Sequence, residues 1–173
     1  MTSIKRVVIN ASPLITLCRS QLHDLLPQLF EAVYVPDAVW QEVVNGGKDD
    51  AAACIVPTLD WLQRLPPVEV ALDIQRWNLG AGESAVMHHA RELTADRAIL
   101  DDAAARRCAR SINVSMTGTC GVIVLAKRRG LLLKAEPAFR QLQAAGLWLS
   151  EELIVALLQE AGESSSSQGV DGT

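Results

Sequence analysis

Short apolar segments alternate with helical stretches along most of this chain, and this alternation strongly limits how it can fold. Four segments have the length and the residue types of buried strands, at residues 6–10, 32–35, 98–101 and 113–116. Stretches that favour helix lie between consecutive strands and continue to residue 161. Such alternation is typical of a parallel sheet covered by helices. The sequence therefore predicts an α/β fold with a central, mostly parallel sheet and helices on both faces.

Capping and terminating residues bound the predicted helices. Ser12 and Pro13 favour the start of the first helix, Ser150 favours the start of the last, and Gly130 ends an intermediate one. After the first helix we predict helices at 22–30, 37–44, most of 49–64, 72–78, 83–93, 103–111, 119–129, 134–145 and 151–161. Extended segments are predicted at 68–70 and 147–149.

Length and composition indicate a single folded domain. The 173 residues are 49% apolar, which suits one domain over residues 1–162, whereas the Ser- and Gly-rich segment 163–173 is predicted to be disordered. The net charge of −4 argues against a protein that coats polyanions in general. The four cysteines form no CxxC pair, and the apolar runs are too short to cross a bilayer. We therefore expect a cytoplasmic protein with reduced thiols and no membrane association.

Acidic side chains fall at positions where burial would be costly without a partner for their charge. Glu83 shares a predicted helix face with Val86 and Met87, at i+3 and i+4, which favours a site over the alternative of a first-turn glutamate. Glu42 lies at the margin of an apolar helix face, where a surface glutamate is the simpler interpretation. These two positions predict a site only if other oxygen ligands join them.

Polar residues at the strand ends supply those further ligands. Asn10 follows the first strand, and Asp101 and Asp102 follow the third, at the edge where parallel α/β sheets bind ligands. Each has an alternative role: Asn10 can tie the first turn, and one aspartate can cap the next helix or pair with Arg106. Oxygen donors without nitrogen or sulfur favour Mg²⁺ or Mn²⁺.

Other kinds of site find less support in the sequence. No histidine lies at triad spacing from Ser12, Thr117 or Thr119, and no phosphate-binding glycine loop occurs. The cations that follow the acidic pair, such as Arg106, and those near Lys127 can hold a phosphate backbone, although helix C-termini also favour cations. An acidic pair at a strand end also occurs in phosphoacceptor receiver domains, which normally carry it after the first strand.

The ordered motifs resemble those of PIN-domain proteins, and in particular a PIN-like branch related to the VapC toxins. They are residues 8–15 (VINASPLI), Val35-Pro36 with Glu42, Gly82-Glu83-Ser84, Leu100-Asp101-Asp102 with Arg106, and residues 117–121 (TGTCG). The resemblance covers about residues 6–158. It implies a three-layer α/β sandwich whose clustered acids bind Mg²⁺ or Mn²⁺ and hydrolyse RNA. Asn10 stands where the family pattern has aspartate, which implies a weaker metal site.

The resulting hypothesis is a metal-dependent ribonuclease of the toxin type, with RNA, a small antitoxin protein and a second copy of the chain as partners. Its alternative is a PIN-like module that binds nucleic acid or an antitoxin without turnover. The candidate catalytic residues are Asn10, Glu42, Glu83, Asp101 and Asp102, of which all but Glu42 are the first candidates for metal ligands. Candidate nucleic-acid contacts are Ser12, Thr117, Thr119, Arg106 and Lys127.

Overall fold

The central sheet of this protein is parallel throughout. A computed structural model describes residues 4–163 of the chain. Within them lie five strands, in the order β3-β2-β1-β4-β5. Their bounds are β1 (Arg6–Ile9), β2 (Ala32–Pro36), β3 (Leu62–Leu65), β4 (Arg97–Ile99) and β5 (Met116–Thr117). Every neighbouring pair is parallel, which confirms the predicted α/β class.

Ten α-helices connect and cover these strands within the described part of the chain. They are α1 (Ala11–Arg19), α2 (Leu25–Leu29), α3 (Asp37–Val44), α4 (Ala51–Ile55), α5 (Leu72–Gln75), α6 (Ala81–Glu92), α7 (Ala103–Ser111), α8 (Thr119–Arg128), α9 (Glu136–Ala144) and α10 (Glu151–Glu160). Helix α6 packs against β1, β2 and β4, whereas α8 packs against α1, α2, α9 and α10. The elements thus form an α/β sandwich.

The middle of the sheet is fully buried, and this fixes the position of the strand ends. Val7, Val8 and Ile9 of β1 have no exposed surface, as expected for a strand with neighbours on both sides. The backbone N–H of Asn10 donates to the carbonyl of Ile99, with an N–O distance of 3.1 Å. The residues that follow β1 and β4 therefore lie side by side at the carboxyl edge.

The segment 49–64 does not form the mainly helical structure that the sequence predicts. Helix α4 is short, a 3-10 turn covers Val56–Thr58, and the chain then enters β3. Strand β3 lies at the sheet edge and pairs only with β2, so its middle residues, Gln63 and Arg64, are exposed. An edge strand does not need a continuous apolar run, and this is why the apolar pattern missed it. The segment 68–70 forms no strand.

Smaller differences have local causes. The predicted strand at 113–116 begins later, because Asn113 takes a left-handed conformation (φ 57°) after α7 and the pairing starts at Met116. The helix predicted from residue 134 begins at Glu136. The predicted tail, residues 163–173, lies outside the described residues except for Glu163, which accepts a hydrogen bond from the Ala135 N–H. No helix in residues 4–163 is long and apolar enough to span a membrane.

Candidate functional site

An open cleft lies at the carboxyl edge of the sheet, between the starts of α1 and α6 and one face of α3. Its volume is roughly 640 Å³. Three of the predicted catalytic residues, Asn10, Glu42 and Glu83, line it together with Ser12 and Gly82. The cleft therefore joins side chains from three separate stretches of the sequence, as predicted for a site at this edge. We call it the Asn10 cleft.

Asn10 occupies the N-cap position of α1, but its side chain does not cap the helix. The residue is 4% exposed, and its carboxamide has no hydrogen-bond partner among residues 4–163. The structural role considered from the sequence, a side chain that ties the first turn, is therefore wrong. The carboxamide lines the open cleft, where water or a ligand can pair with it, so this side chain is available for a ligand there.

Glu42 approaches Asn10 across the first turn of α6. A Cβ atom built on Gly82 would lie 2.9 Å from Glu42 Oε2 and 3.5 Å from Asn10 Oδ1. The same Cβ would lie 3.3 Å from Val39, a buried residue of α3. Because Gly82 has no side chain, the two oxygens can approach the same point in the cleft. Glu42 is otherwise exposed, so its carboxylate can adjust its position.

Glu83 lies in the same cleft, but its side chain turns back toward its own helix. Its Oε2 accepts a hydrogen bond from the Gly80 N–H, with an N–O distance of 2.8 Å. This is the contact of a helix-capping glutamate, so the alternative considered from the sequence describes its present bonding. The residue is half-buried, whereas Val86 and Met87, which the sequence placed on the same face, are fully buried.

The two aspartates after β4 have different surroundings. Asp102 is exposed and caps α7 by accepting a hydrogen bond from the Ala105 N–H at 2.8 Å. Asp101 is half-buried, and both of its carboxylate oxygens accept hydrogen bonds from Thr119. The Thr119 N–H donates at 2.8 Å and its hydroxyl donates at 2.6 Å. The sequence left the two aspartates as alternatives, and their contacts make Asp101 the stronger site candidate.

Asp101 lines a second cleft, of roughly 540 Å³, on the β5 side of the edge. Arg106, Thr117, Gly118 and the exposed Trp148 also line it. A Cβ on Gly118 would lie 2.9 Å from Asp101 Oδ1 and 3.4 Å from an Arg106 guanidinium nitrogen. Nearby, burial and then the Asp101 charge raise the pKa of the Cys120 thiol to about 11. Asn10 and Asp101 therefore follow adjacent strands, but they line different clefts.

The acids do not form a compact cage in this arrangement. Among residues 4–163, no three Asp, Glu, His or Cys side chains come close enough together to hold a metal ion. The donors on the Asn10 side are two carboxylates and one amide oxygen, and Asp101 is held by Thr119. The side chains thus offer fewer charges around one point than the sequence hypothesis of four clustered acids requires.

The predicted nucleic-acid contacts fall into two groups. Ser12 is exposed in the Asn10 cleft, and Arg106 is half-buried in the second cleft with no ion pair in the described part of the chain. Thr119 is fully buried and holds Asp101, so it positions a site residue. Lys127 lies 3.9 Å from a Glu163 oxygen. Thr117 is half-buried in the second cleft.

Some lining residues of the Asn10 cleft were missed by the sequence analysis. Ala38, Gln41 and Asn45 lie on the same face of α3 as Glu42, and the Asn45 amide donates to Gln41 Oε1 at 3.3 Å. Positions 38, 41, 42 and 45 have the i, i+3, i+4, i+7 spacing of one helix face. This spacing is visible in the sequence, but it indicates which residues line the cleft only once Glu42 is known to face it.

Comparison with known families agrees with this fold. A family model described as a PIN domain matches residues 6–163, which is nearly the whole described chain. The chain belongs to the PIN-domain family. PIN domains are generally nucleases that depend on divalent metal ions. The strand order also differs from the 2-1-3-4-5 order of receiver-type folds, which disfavours a phosphoacceptor domain. No curated protein matches this PIN domain with significance.

Proposed function

We propose that this PIN domain is a divalent-metal-dependent ribonuclease that hydrolyses RNA phosphodiester bonds. The observation that carries the proposal is the approach of Asn10 and Glu42 to one point above Gly82, at the carboxyl edge of the sheet. An amide oxygen beside a carboxylate, both free to face the open cleft, is an oxygen-rich corner that favours a hard cation. The PIN family supports the choice of nucleic acid as the substrate class.

The donor set of the Asn10 cleft suits Mg²⁺ or Mn²⁺ better than zinc. Zinc prefers nitrogen and sulfur ligands, whereas the cleft offers oxygen from Asn10, Glu42 and Glu83. Magnesium commonly takes only one or two protein carboxylates and keeps several water molecules, so a compact cage of acids is not required. When bound, such an ion activates a water molecule and neutralises the charge that develops on the phosphate.

The chain's own residues then have distinct roles. Asn10 and Glu42 would hold the ion, and Glu83, whose Oε2 now accepts a hydrogen bond from the Gly80 N–H, would be a third ligand from the same cleft. Asp101 offers a further carboxylate at the neighbouring strand end, from the second cleft. Thr119 acts as a positioning residue, because its two hydrogen bonds keep Asp101 in one orientation. Asp102 is the weaker ligand candidate because it caps α7.

Cations and hydroxyls near the edge would hold the RNA backbone. Ser12 can donate to a phosphate in the Asn10 cleft, and Arg106 can do so from the second cleft. Lys127 is a weaker candidate because it lies close to the Glu163 carboxylate. The resemblance to the toxin branch extends the proposal to a cytoplasmic toxin that a small antitoxin holds inactive and that assembles as a homodimer.

A cleavage assay on a mixed RNA pool, combined with thermal unfolding, tests the proposal. We expect Mg²⁺ or Mn²⁺ to support cleavage and to raise the melting temperature, because an ion that binds only the folded state stabilises it. Glu42→Gln should abolish the metal-induced rise in the melting temperature and should reduce the cleavage rate by at least about tenfold. The matched control is Glu92→Gln, an exposed acid at the far end of α6, which should behave as the wild type.

The outcome for Glu42 decides the location of the site. Equal metal responses and equal cleavage rates in Glu42→Gln and Glu92→Gln would remove the Asn10 cleft from the proposal. Loss of cleavage with an unchanged metal response would instead assign Glu42 a role in RNA contact. Expression of the wild type, but not of Glu42→Gln, should arrest cell growth if the protein is a toxin.

A second candidate function is a PIN module that binds RNA or an antitoxin without turnover. Asn10 favours it, because an amide in place of the family's aspartate removes one negative charge from the metal site. Asn10→Asp should then create or greatly increase cleavage. If neither protein cleaves RNA while both retain it on a filter, the binding function is supported over the nuclease.

A further inference from the structure

We propose that a small pocket beside the Asn10 cleft binds one base of the RNA substrate and thereby gives the enzyme a sequence preference. This inference deepens the proposed ribonuclease function and rests on it. The pocket has a volume of roughly 200 Å³. The loop residues Pro66, Pro67, Val68 and Val70 form one wall, and small residues of α6 form the other. We call it the proline pocket.

The proline pocket adjoins the candidate metal cleft. Ala38 of α3 and Ala81 of α6 line both of them. A phosphate bound by the oxygen-rich corner would therefore have its neighbouring base within reach of the pocket. The two cavities together have the arrangement that a nucleotide requires, with a polar part for the phosphate and an apolar part for the ring.

The size and walls of the pocket favour a single ring system. Pockets for complete small-molecule ligands are usually about 300–1,000 Å³, so this one is too small for a whole cofactor. Prolines and valines face the alanines of α6, which makes the lining largely apolar. An apolar slot of this kind buries the faces of a base and leaves its polar edge to a few hydrogen-bonding groups.

One of those groups is the Ser84 hydroxyl. Ser84 is 8% exposed, lines the pocket, and its hydroxyl has no hydrogen-bond partner among the described residues. The hydroxyl faces the pocket, where it can donate to or accept from the polar edge of a base in place of water. Ser84 directly follows Glu83 on α6, so the same helix presents a cleft residue and a pocket residue.

The charges around the pocket favour a neutral ligand over a phosphate. His89 is 7% exposed, and its Nε2 donates to the Pro66 carbonyl at 3.2 Å. Burial lowers the pKa of His89, so the ring is neutral near pH 7. The only acidic lining residue, Asp37, is bound by the guanidinium of Arg64, which itself lies over the Trp40 ring. No lining residue is a free cation.

A binding experiment without metal tests the pocket independently of catalysis. We expect AMP, CMP, GMP and UMP to shift the His89 ring resonances unequally in an NMR titration. Val68→Phe should abolish the shifts by filling the pocket, and Ser84→Ala should weaken binding by about three- to tenfold. The matched control is Val155→Phe, which enlarges a partly exposed valine of α10 and should leave the shifts unchanged.

Sequencing of the ends produced from a random RNA pool gives the second readout. Val68→Phe should flatten a base preference next to the cleaved bond, whereas Val155→Phe should retain it. Nucleotide shifts that persist in a protein without cleavage would support the pocket and overturn only the nuclease. If no nucleotide shifts the His89 resonances, or if Val68→Phe keeps the base preference next to the cleaved bond, the base pocket is overturned and the nuclease remains intact.

Discussion

The contact between Thr119 and Asp101 gives the sharpest single test of how the carboxyl edge is built. Thr119→Val keeps the shape of a fully buried side chain but removes the hydroxyl that donates to Asp101 Oδ2 at 2.6 Å. A hydrogen bond to a charged group contributes about 1.5–3 kcal/mol. Because Asp101 is half-buried and water can replace part of the bond, we expect a loss of about 1–2 kcal/mol. The backbone N–H of Thr119 still donates to the other oxygen.

Thermal unfolding measures this loss directly. For a domain of this size, a change of 1 kcal/mol shifts the melting temperature by roughly 2–4 °C, so Thr119→Val should unfold about 2–8 °C below the wild type. The control is Thr117→Val, which makes the same change on β5 at a half-buried hydroxyl with no hydrogen bond among residues 4–163. Its melting temperature should change by less than half as much. Equal shifts in the two variants would show that the Thr119 hydroxyl does not hold Asp101.

Three further predictions concern other parts of the structure. Burial raises the pKa of Cys120 to about 11, and only Cys54 is exposed among the four cysteines. Ellman's reagent should therefore label one thiol rapidly at about pH 8, and a second thiol that reacts as fast as the first would contradict this. Burial lowers the pKa of His89 in the folded state, so the unfolded chain binds more protons and the free energy of unfolding should fall as the pH drops below about 6.5. Urea titrations should show a weaker fall in His89→Gln, and an identical pH dependence would refute the assignment. Gly82→Ala should lower the melting temperature slightly in thermal unfolding, because crowding of the buried Val39 and displacement of Glu42 Oε2 outweigh the helix preference of alanine, and it should also reduce the metal-induced rise in the melting temperature.

The class of the fold was readable from the sequence because its central strands are fully buried. Val7 to Ile9 and Ala98 to Ile99 have no exposed surface, and buried strands give continuous apolar runs. Strand β3 has the opposite pattern, since Gln63 and Arg64 face solvent and only one side pairs. Its place is fixed by β2 and by the contact of Arg64 with Asp37 and Trp40. Such long-range contacts leave no local periodicity to read.

The location of the candidate residues was predictable, but their individual bonding was not. The strand ends placed Asn10 and Asp101 at one edge, which the topology rule gives directly. Which aspartate caps α7 depends on the direction of a single turn, and the turn assigns Asp102. Glu83 has the spacing of an inward residue, yet a first-turn glutamate can reach back to its own N-cap, and this contact overrides the helical phase.

Asn10 also explains how this edge remains stable when no cation is bound. An aspartate at position 10 would place a carboxylate in a site that is 4% exposed and close to the Glu42 oxygen. Two carboxylates in one poorly hydrated corner repel each other, and one of them must be protonated or paired. Asparagine keeps the oxygen and removes the repulsion, so under the proposed function the folded state would need a metal less and would also bind it less tightly. The choice between the two proposed functions, nuclease and binding module, therefore depends on the free energy of one charge at residue 10.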